Sequence, residues 1–279
     1  MSETTAANPQ LIQTQVAKLL VEPLEAASVV LASGVRIFDT AGPLRIPKLT
    51  AGANVGFVGE SELIPEADVT FGEVALMPSD RTSLKTLIRF SNELLRQSVI
   101  GLDATLKARL VTDVSSKLDT ALLTGDGTDA SITGVINQAG VQTSAWDVAD
   151  PDTLLDAIGL AVAAEVAPNR WFMSGADFIS LRKLKESGTS SRYLLEADLH
   201  AGPEFRLLGI PLTVTNKLPT GKLVLAKTDE IAVARDIAPT VTLLSERYAE
   251  YDEQAIRVTC RYDIGLLHPE GVIVLTDTP

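Results

Sequence analysis

Cysteine is almost missing from this chain: Cys260 stands alone among 279 residues, so no intrachain disulfide staples the fold. Histidine is nearly as scarce, and His200, His268 and Cys260 show no close ligand spacing, which predicts no metal site of the Cys/His type. Aromatic residues make up only 5%, leaving Leu, Val, Ile and Ala to fill the core. Long apolar runs are absent too. The most apolar window, residues 157–167, is short and contains Glu165, whereas a spanning helix takes about 20 apolar residues. The opening MSETTAANPQ has no basic segment followed by an apolar one, so no cleaved secretion signal is expected. Basic residues are in deficit, 24 Lys and Arg against 36 Asp and Glu, for a net charge of −12 and a pI near 4.7. Such a surface repels phosphate backbones, which argues against a broad nucleic-acid-gripping face.

What remains is a globular chain with 46% hydrophobic and 22% charged residues, long enough for one large or two modest domains. Residues 8–33 carry Leu11, Ile12, Val16, Leu19, Leu20, Leu24 and Val29 at roughly helical spacing, broken at Pro23: an amphipathic arm. Residues 34–70 are punctuated by Pro43, Pro47, Gly52, Gly56, Gly59 and Pro65, and predict two extended strands joined by a flexible tip. A returning strand follows, in which Leu84, Thr86, Ile88 and Phe90 alternate with Lys85, Leu87 and Arg89. From Gly101 the period lengthens: Leu102, Leu106, Leu110, Val114, Leu118 and Leu122 predict the longest helix, with Gly125 as its C-terminal cap. A second helix is expected from an Asp152 cap, a short strand over residues 170–173, and a third helix around 176–185. Strands are predicted over 210–215, 222–226, 231–234, 241–244 and 272–275. Between the last two, Ile256, Val258, Cys260 and Tyr262 alternate with Arg257, Thr259, Arg261 and Asp263.

No catalytic constellation emerges. Ser174 lacks the glycine spacing of a nucleophile elbow and reads as a turn or helix cap. The run Gly125-Asp126-Gly127-Thr128-Asp129 has neither the terminal glutamate of a calcium loop nor the Lys-Ser/Thr of a phosphate cradle, and reads as a turn. The pairs Asp150/Asp152 and Glu250/Asp252 fit solvated surface charge at this acidic content. No cofactor, metal or membrane partner is expected.

The informative feature is a division of charge. Residues 50–80 contain Glu60, Glu62, Glu66, Asp68, Glu73 and Asp80 and no Lys or Arg. Residues 81–117 then hold Arg81, Lys85, Arg89, Arg96, Lys107, Arg109 and Lys117 against Glu93, Asp103 and Asp113, a balance of +4. A long loop of one sign beside a stretch of the other is best satisfied by lying on a neighbouring copy. The acids Glu60, Glu62, Glu66 and Asp68 are therefore expected to face some of Arg89, Arg96, Lys107 and Arg109 of another subunit.

The order of motifs resembles the major capsid proteins of tailed phages, the HK-97 fold family. The resemblance rests on Phe71-Gly72-Glu73-Val74-Ala75-Leu76-Met77-Pro78, on residues 89–98, and on the long helix closing in Leu122-Leu123-Thr124-Gly125-Asp126-Gly127-Thr128. It continues through Gly134-Val135-Ile136, Leu208-Gly209-Ile210-Pro211-Leu212, residues 256–263 and His268-Pro269. It implies an α+β capsid fold with an N-terminal arm (1–42), an extended E-loop hairpin (43–83), a peripheral domain with a long spine helix (84–149 and 250–279) and an axial domain (150–249). It also implies a non-enzymatic virion protein assembled in the bacterial host cytoplasm. Hexamers and pentamers would close into an icosahedral shell around double-stranded DNA, enclosed without sequence-specific binding, with a portal and a separate scaffolding protein as partners. About forty residues precede the hairpin, so no fused scaffolding domain is expected. The nearest alternative is an encapsulin-type nanocompartment shell, and the Leu-Thr-Gly-Asp-Gly-Thr run favours the capsid; a soluble acidic α+β enzyme is the remote one.

Some relatives crosslink a hairpin lysine to a neighbour's asparagine with a glutamate accepting protons. Residues 50–80 contain no lysine, Lys48 sits at the expected loop base, and the aligned positions near the final strand offer Gln254 and Arg261. Particles boiled in denaturant and detergent should therefore release monomers; a ladder of covalent oligomers would contradict this.

Overall fold

The structure, a computed structural model, describes residues 28–51, 57–59, 70–80, 82–93, 102–185, 205–244 and 246–277. The first strands are β1 (Arg36–Asp39), β2 (Leu44–Ala51), β3 (Thr70–Leu76) and β4 (Leu84–Ser91), followed by helix α1 (Leu102–Thr124). Then come β5 (Gln142–Trp146), α2 (Asp152–Ala163), β6 (Arg170–Met173) and α3 (Gly175–Arg182). The chain continues through β7 (Arg206–Leu207), β8 (Ile210–Val214), β9 (Lys222–Ala226), β10 (Ile231–Leu244), β11 (Glu253–Leu266) and β12 (Val272–Asp277). Among the described residues these strands form a four-stranded sheet β1-β10-β11-β4, a six-stranded sheet β5-β12-β9-β6-β8-β7, and the β2-β3 hairpin. Most of the amphipathic arm read from the sequence lies outside the described residues.

Alternation decides what each sheet buries. On β4, Leu84, Thr86, Ile88 and Phe90 turn inward while Lys85, Leu87 and Arg89 face out. On β11 the even-numbered residues from Ile256 to Leu266 turn inward and meet Leu110, Val114, Leu118 and Leu122 of α1. That core continues into Phe172, Val224, Ala226, Val272 and Val274 of the six-stranded sheet. The opposite face of the same sheet presents Trp171, Met173, Leu223, Leu225, Ile273 and Leu275 to Leu154, Ala157 and Ala161 of α2 and Leu181 of α3. Cys260 lies wholly inside, where burial pushes its thiol up to about 12, so it stays protonated.

Several expectations need correction. The division drawn at residue 250 cuts between β10 and β11, which are antiparallel neighbours in one sheet. Conversely β12 and β5, expected with the spine helix, pair with each other and join the six-stranded sheet through β9. The sheets thus exchange strands across the sequence boundary. Residues 231–234 and 241–244 are ends of one strand, β10, with register shifts between Arg235 and Thr240, where Pro239 has no N–H to donate. Asp152 is the first helical residue of α2, not its cap; Asp150 Oδ1 accepts its N–H at 3.1 Å. Ser174 does cap α3, accepting from Asp177 N–H.

Gly125 ends α1 for a different reason from the one expected. It lacks the left-handed backbone of a glycine cap. A Cβ there would instead lie 2.2 Å from the Ile132 carbonyl oxygen. The capping role falls to Asn137, whose Nδ2 donates to the carbonyls of Thr124 (3.2 Å) and Gly125 (2.8 Å). The loop at 125–129 is the structural turn the sequence suggested. Asp126 accepts the Thr128 backbone N–H and hydroxyl, which together hold its carboxyl below the usual range.

One buried acid joins the N-terminal segment to α1. Asp119 accepts from the Ser28 hydroxyl at 2.5 Å, from Val29 N–H at 2.9 Å and from Val30 N–H at 3.2 Å. Replacing it by Ala leaves buried donors without acceptors, which costs about 3 kcal/mol or more. Asp119→Ala should accordingly lower Tm by roughly 6–12 °C. Calorimetry that finds Tm unchanged would show that water replaces the carboxylate.

Candidate functional site

The most projecting described element is the β2–β3 hairpin. Its strands pair from Leu44 opposite Leu76 outward to Lys48 opposite Gly72 and Leu49 opposite Phe71. Leu44, Ile46, Val74 and Leu76 line one face, which meets Ala232 and Ala234 of β10 together with Phe38, Met77 and Leu267. The other face shows Arg45, ion-paired with Glu73 at 3.3 Å, and the exposed Phe71. Beyond the paired strands Phe57 is fully exposed. Lys48 stands several pairs up the hairpin, further from its base than the sequence suggested.

The hairpin base is fixed by polar groups that alternation alone would place in solvent. Asp263, on the outward side of β11, is buried. Its Oδ2 accepts the Met77 N–H at 2.7 Å and its Oδ1 accepts the Ile264 N–H at 3.0 Å. Met77 adopts a left-handed backbone, φ 56°, uncommon for a residue with a side chain. Two residues along β11, Arg261 donates from Nη1 to Asp236 (2.9 Å) and from Nη2 to the carbonyls of Pro78 (3.2 Å) and Ser79 (3.4 Å). Gly265 completes the seat, since a Cβ there would fall 2.5 Å from Leu76 Cδ2. On the far side Arg235 donates twice to Asp39, at 2.6 and 3.0 Å, and those hydrogen bonds hold the Asp39 carboxyl below its ordinary range.

The acids expected to dock, Glu60, Glu62, Glu66 and Asp68, lie outside the described residues, as does Arg96. The helix backbone places Lys107 on α1, and its side chain is also outside the description. Arg89 points outward from β4, 3.5 Å from Glu253 and stacked on the Tyr248 ring at 4.9 Å. Arg109 lies exposed on α1, paired with Asp113 at 3.1 Å. The structure does not bring Arg89 and Arg109 together, because α1 packs against the sheet face that Arg89 turns away from. Two neighbours of Arg89 extend its basic surface. Lys85 shares its face of β4, and Arg257 of β11 sits directly opposite the exposed Leu87. Pairing of β4 with β11 gives them this common face, and periodicity alone does not reveal a strand's partner.

A family model described as "Phage capsid family" matches residues 10–277. The major capsid protein of Klebsiella oxytoca phage phiKO2 is 23% identical over 297 residues, covering 96% of this chain and 67% of that protein. Among solved structures, a capsid chain of a native GTA particle superimposes with a TM-score of 0.74 at 17% identity, covering 91% of this chain and 90% of the other. A chain from Microbacterium phage Oxtober96 gives 0.74 at 17%, covering 90% and 91%. One from Gordonia phage Cozz gives 0.73 at 13%, covering 90% and 87%. The fold is therefore one that phage capsid chains share.

If Asp263 holds the hairpin base, Asp263→Ala should speed amide exchange at Met77 and along β3 by about tenfold or more, the loss of one hydrogen bond to a charged acceptor being about 1.5–3 kcal/mol. Exchange in α1 and β9 should stay as in the parent. Unchanged protection at Met77 would remove Asp263 from this role.

Proposed function

The chain belongs to the phage capsid family, and on that premise we propose that it is the major capsid protein of a tailed phage or phage-like particle. Hexamers and pentamers of it close into an icosahedral shell around double-stranded DNA, enclosed without sequence-specific contact. The family match across residues 10–277 is the observation that carries this reading. The acidity of the chain supports it physically, because a wall of net charge −12 per subunit does not grip the packaged polyanion. Assembly takes place in the bacterial host cytoplasm, with a portal and a separate scaffolding protein.

In this reading the β2–β3 hairpin is the E-loop and residues 1–42 the arm. Strands β4, β10 and β11 with α1 form the peripheral domain, and the six-stranded sheet with α2 and α3 the axial domain. The hairpin acids Glu60, Glu62, Glu66 and Asp68 dock on a basic surface of an adjacent subunit, drawn from Arg89, Arg96, Lys107 and Arg109. Lys85 and Arg257 enlarge it around Arg89. Exposed ion pairs contribute about 0–1 kcal/mol each, so the contact matters through repetition around the shell.

Electron microscopy of the purified protein, with extraction of its contents, tests both levels. Closed shells free of enzyme cargo are expected; shells filled with an enzyme cargo, or a small monodisperse particle, would overturn the assignment. Replacing the four hairpin acids by neutral amides should lower shell yield, as should 1 M salt, where screening shortens to about 3 Å. Unchanged yield in both cases would show that shape and apolar contact seat the hairpin.

A further inference from the structure

The six-stranded sheet carries both of its helices on one face. Helix α2 lies over β5 and β12 at one end, and α3, which begins where β6 ends and whose Gly175 N–H donates to Asn216, lies toward β8 at the other. Helix α2 is apolar nearly all round. Leu154, Ala157 and Ala161 are buried, while Leu155 (53%) and Val162 (66%) are exposed, and a Cβ on Gly159 between them would touch nothing. Near α3, Ile179 (50%) and Phe205 (47%) are exposed, Phe205 lying against Phe178 with ring centroids 4.8 Å apart. Isolated exposed apolar residues need no explanation. Here the charges around each patch supply one.

Residues 118–169 contain no Lys or Arg at all, and Asp152, Asp156 and Glu165 are exposed in and around α2. Around α3 the signs reverse among the described residues. Arg182, Lys183, Lys185 and Arg206 ring the patch, and the acid of that helix, Asp177, is buried where it accepts from Ser174 and from Gly221 N–H. One chain thus carries an acidic apolar patch at one end of a sheet and a basic apolar patch at the other. Pairing like with like sets Asp156 beside its own copy or Lys183 beside its own, which is repulsive. Pairing unlike patches joins copies head to tail, a contact that closes into a ring when its rotation allows.

We propose that the α2 face of one copy docks on the α3 face of the next, with Leu155 and Val162 against Ile179 and Phe205, and Asp156 and Glu165 toward Lys183 and Arg206. The occupant is a second copy because both complementary halves lie on one chain. The proposal rests on the multi-subunit reading above and adds to it which surfaces meet.

The test is a full-length chain carrying Gly159→Cys and Ile179→Cys. Buried, protonated Cys260 does not compete for the disulfide. After mild oxidation, nonreducing electrophoresis should show a ladder of covalent oligomers, whereas each single-cysteine chain should remain monomeric. Lys183→Glu in the doubly substituted chain should abolish the ladder, and adding Asp156→Lys should restore it. Particles visible by microscopy without a ladder would overturn the contact and leave the shell reading standing. A ladder without particles would support the contact and count against the shell, and absence of both would refute both. Dimers from either single-cysteine chain would reveal a like-with-like contact and overturn the proposal.

Discussion

Strand β11 serves two faces of the protein at once. Its inward residues pack on α1, while its outward face must accept the base of a hairpin, and the second task depends on a buried carboxylate whose oxygens both have donors. Burying an ionised acid without partners costs several kcal/mol. Asp263 avoids that cost because Met77, at its left-handed corner, and Ile264 both donate their N–H groups to it. Register and hairpin direction are therefore one constraint: a slip of a single residue along β11 would turn Asp263 into the apolar core and leave the hairpin unseated. Arg261, gripping the carbonyls of Pro78 and Ser79, keeps the exit of the hairpin in the same register.

The long elements were legible because burial acts on them with one period. The four-residue recurrence of Leu110, Val114, Leu118 and Leu122 and the alternation on β4 and β11 coincide with the buried residues. Legibility failed where a face is covered by something distant in sequence. Arg261 and Asp263 read as the solvent side of a strand, and only the return of Leu76 and Met77, nearly two hundred residues earlier in the chain, makes that side an interior. Strand partnership was hidden for a related reason: β10 and β12 have similar apolar patterns, and nothing local says which sheet each joins. The termini of α1 and α2 depended on Asn137 and Asp150, polar side chains whose neighbours in sequence do not announce their role. Of the candidate docking residues, the acidic set was read from composition alone, and Arg89 gained its basic neighbours Lys85 and Arg257 only through pairing.

Charge is segregated along the chain more sharply than its total suggests. Residues 50–80 are free of Lys and Arg, as are residues 118–169, and basic side chains gather between and after these spans. Segregation of this kind does little for a lone molecule, in which exposed pairs are screened. Between identical molecules such segregation favours one relative orientation over another.

The inward side of the four-stranded sheet and one face of the six-stranded sheet share a single apolar core, and Lys217 bridges them further by donating to Ser116 of the spine helix. Two lobes fused through close-packed side chains cannot flex against each other without opening voids. A curved lattice nevertheless demands that one sequence occupy sites of unequal curvature. A body packed in this way, with its hairpin base seated at Met77, meets its neighbours as one piece, so differences in curvature fall on the contacts between copies rather than within a copy.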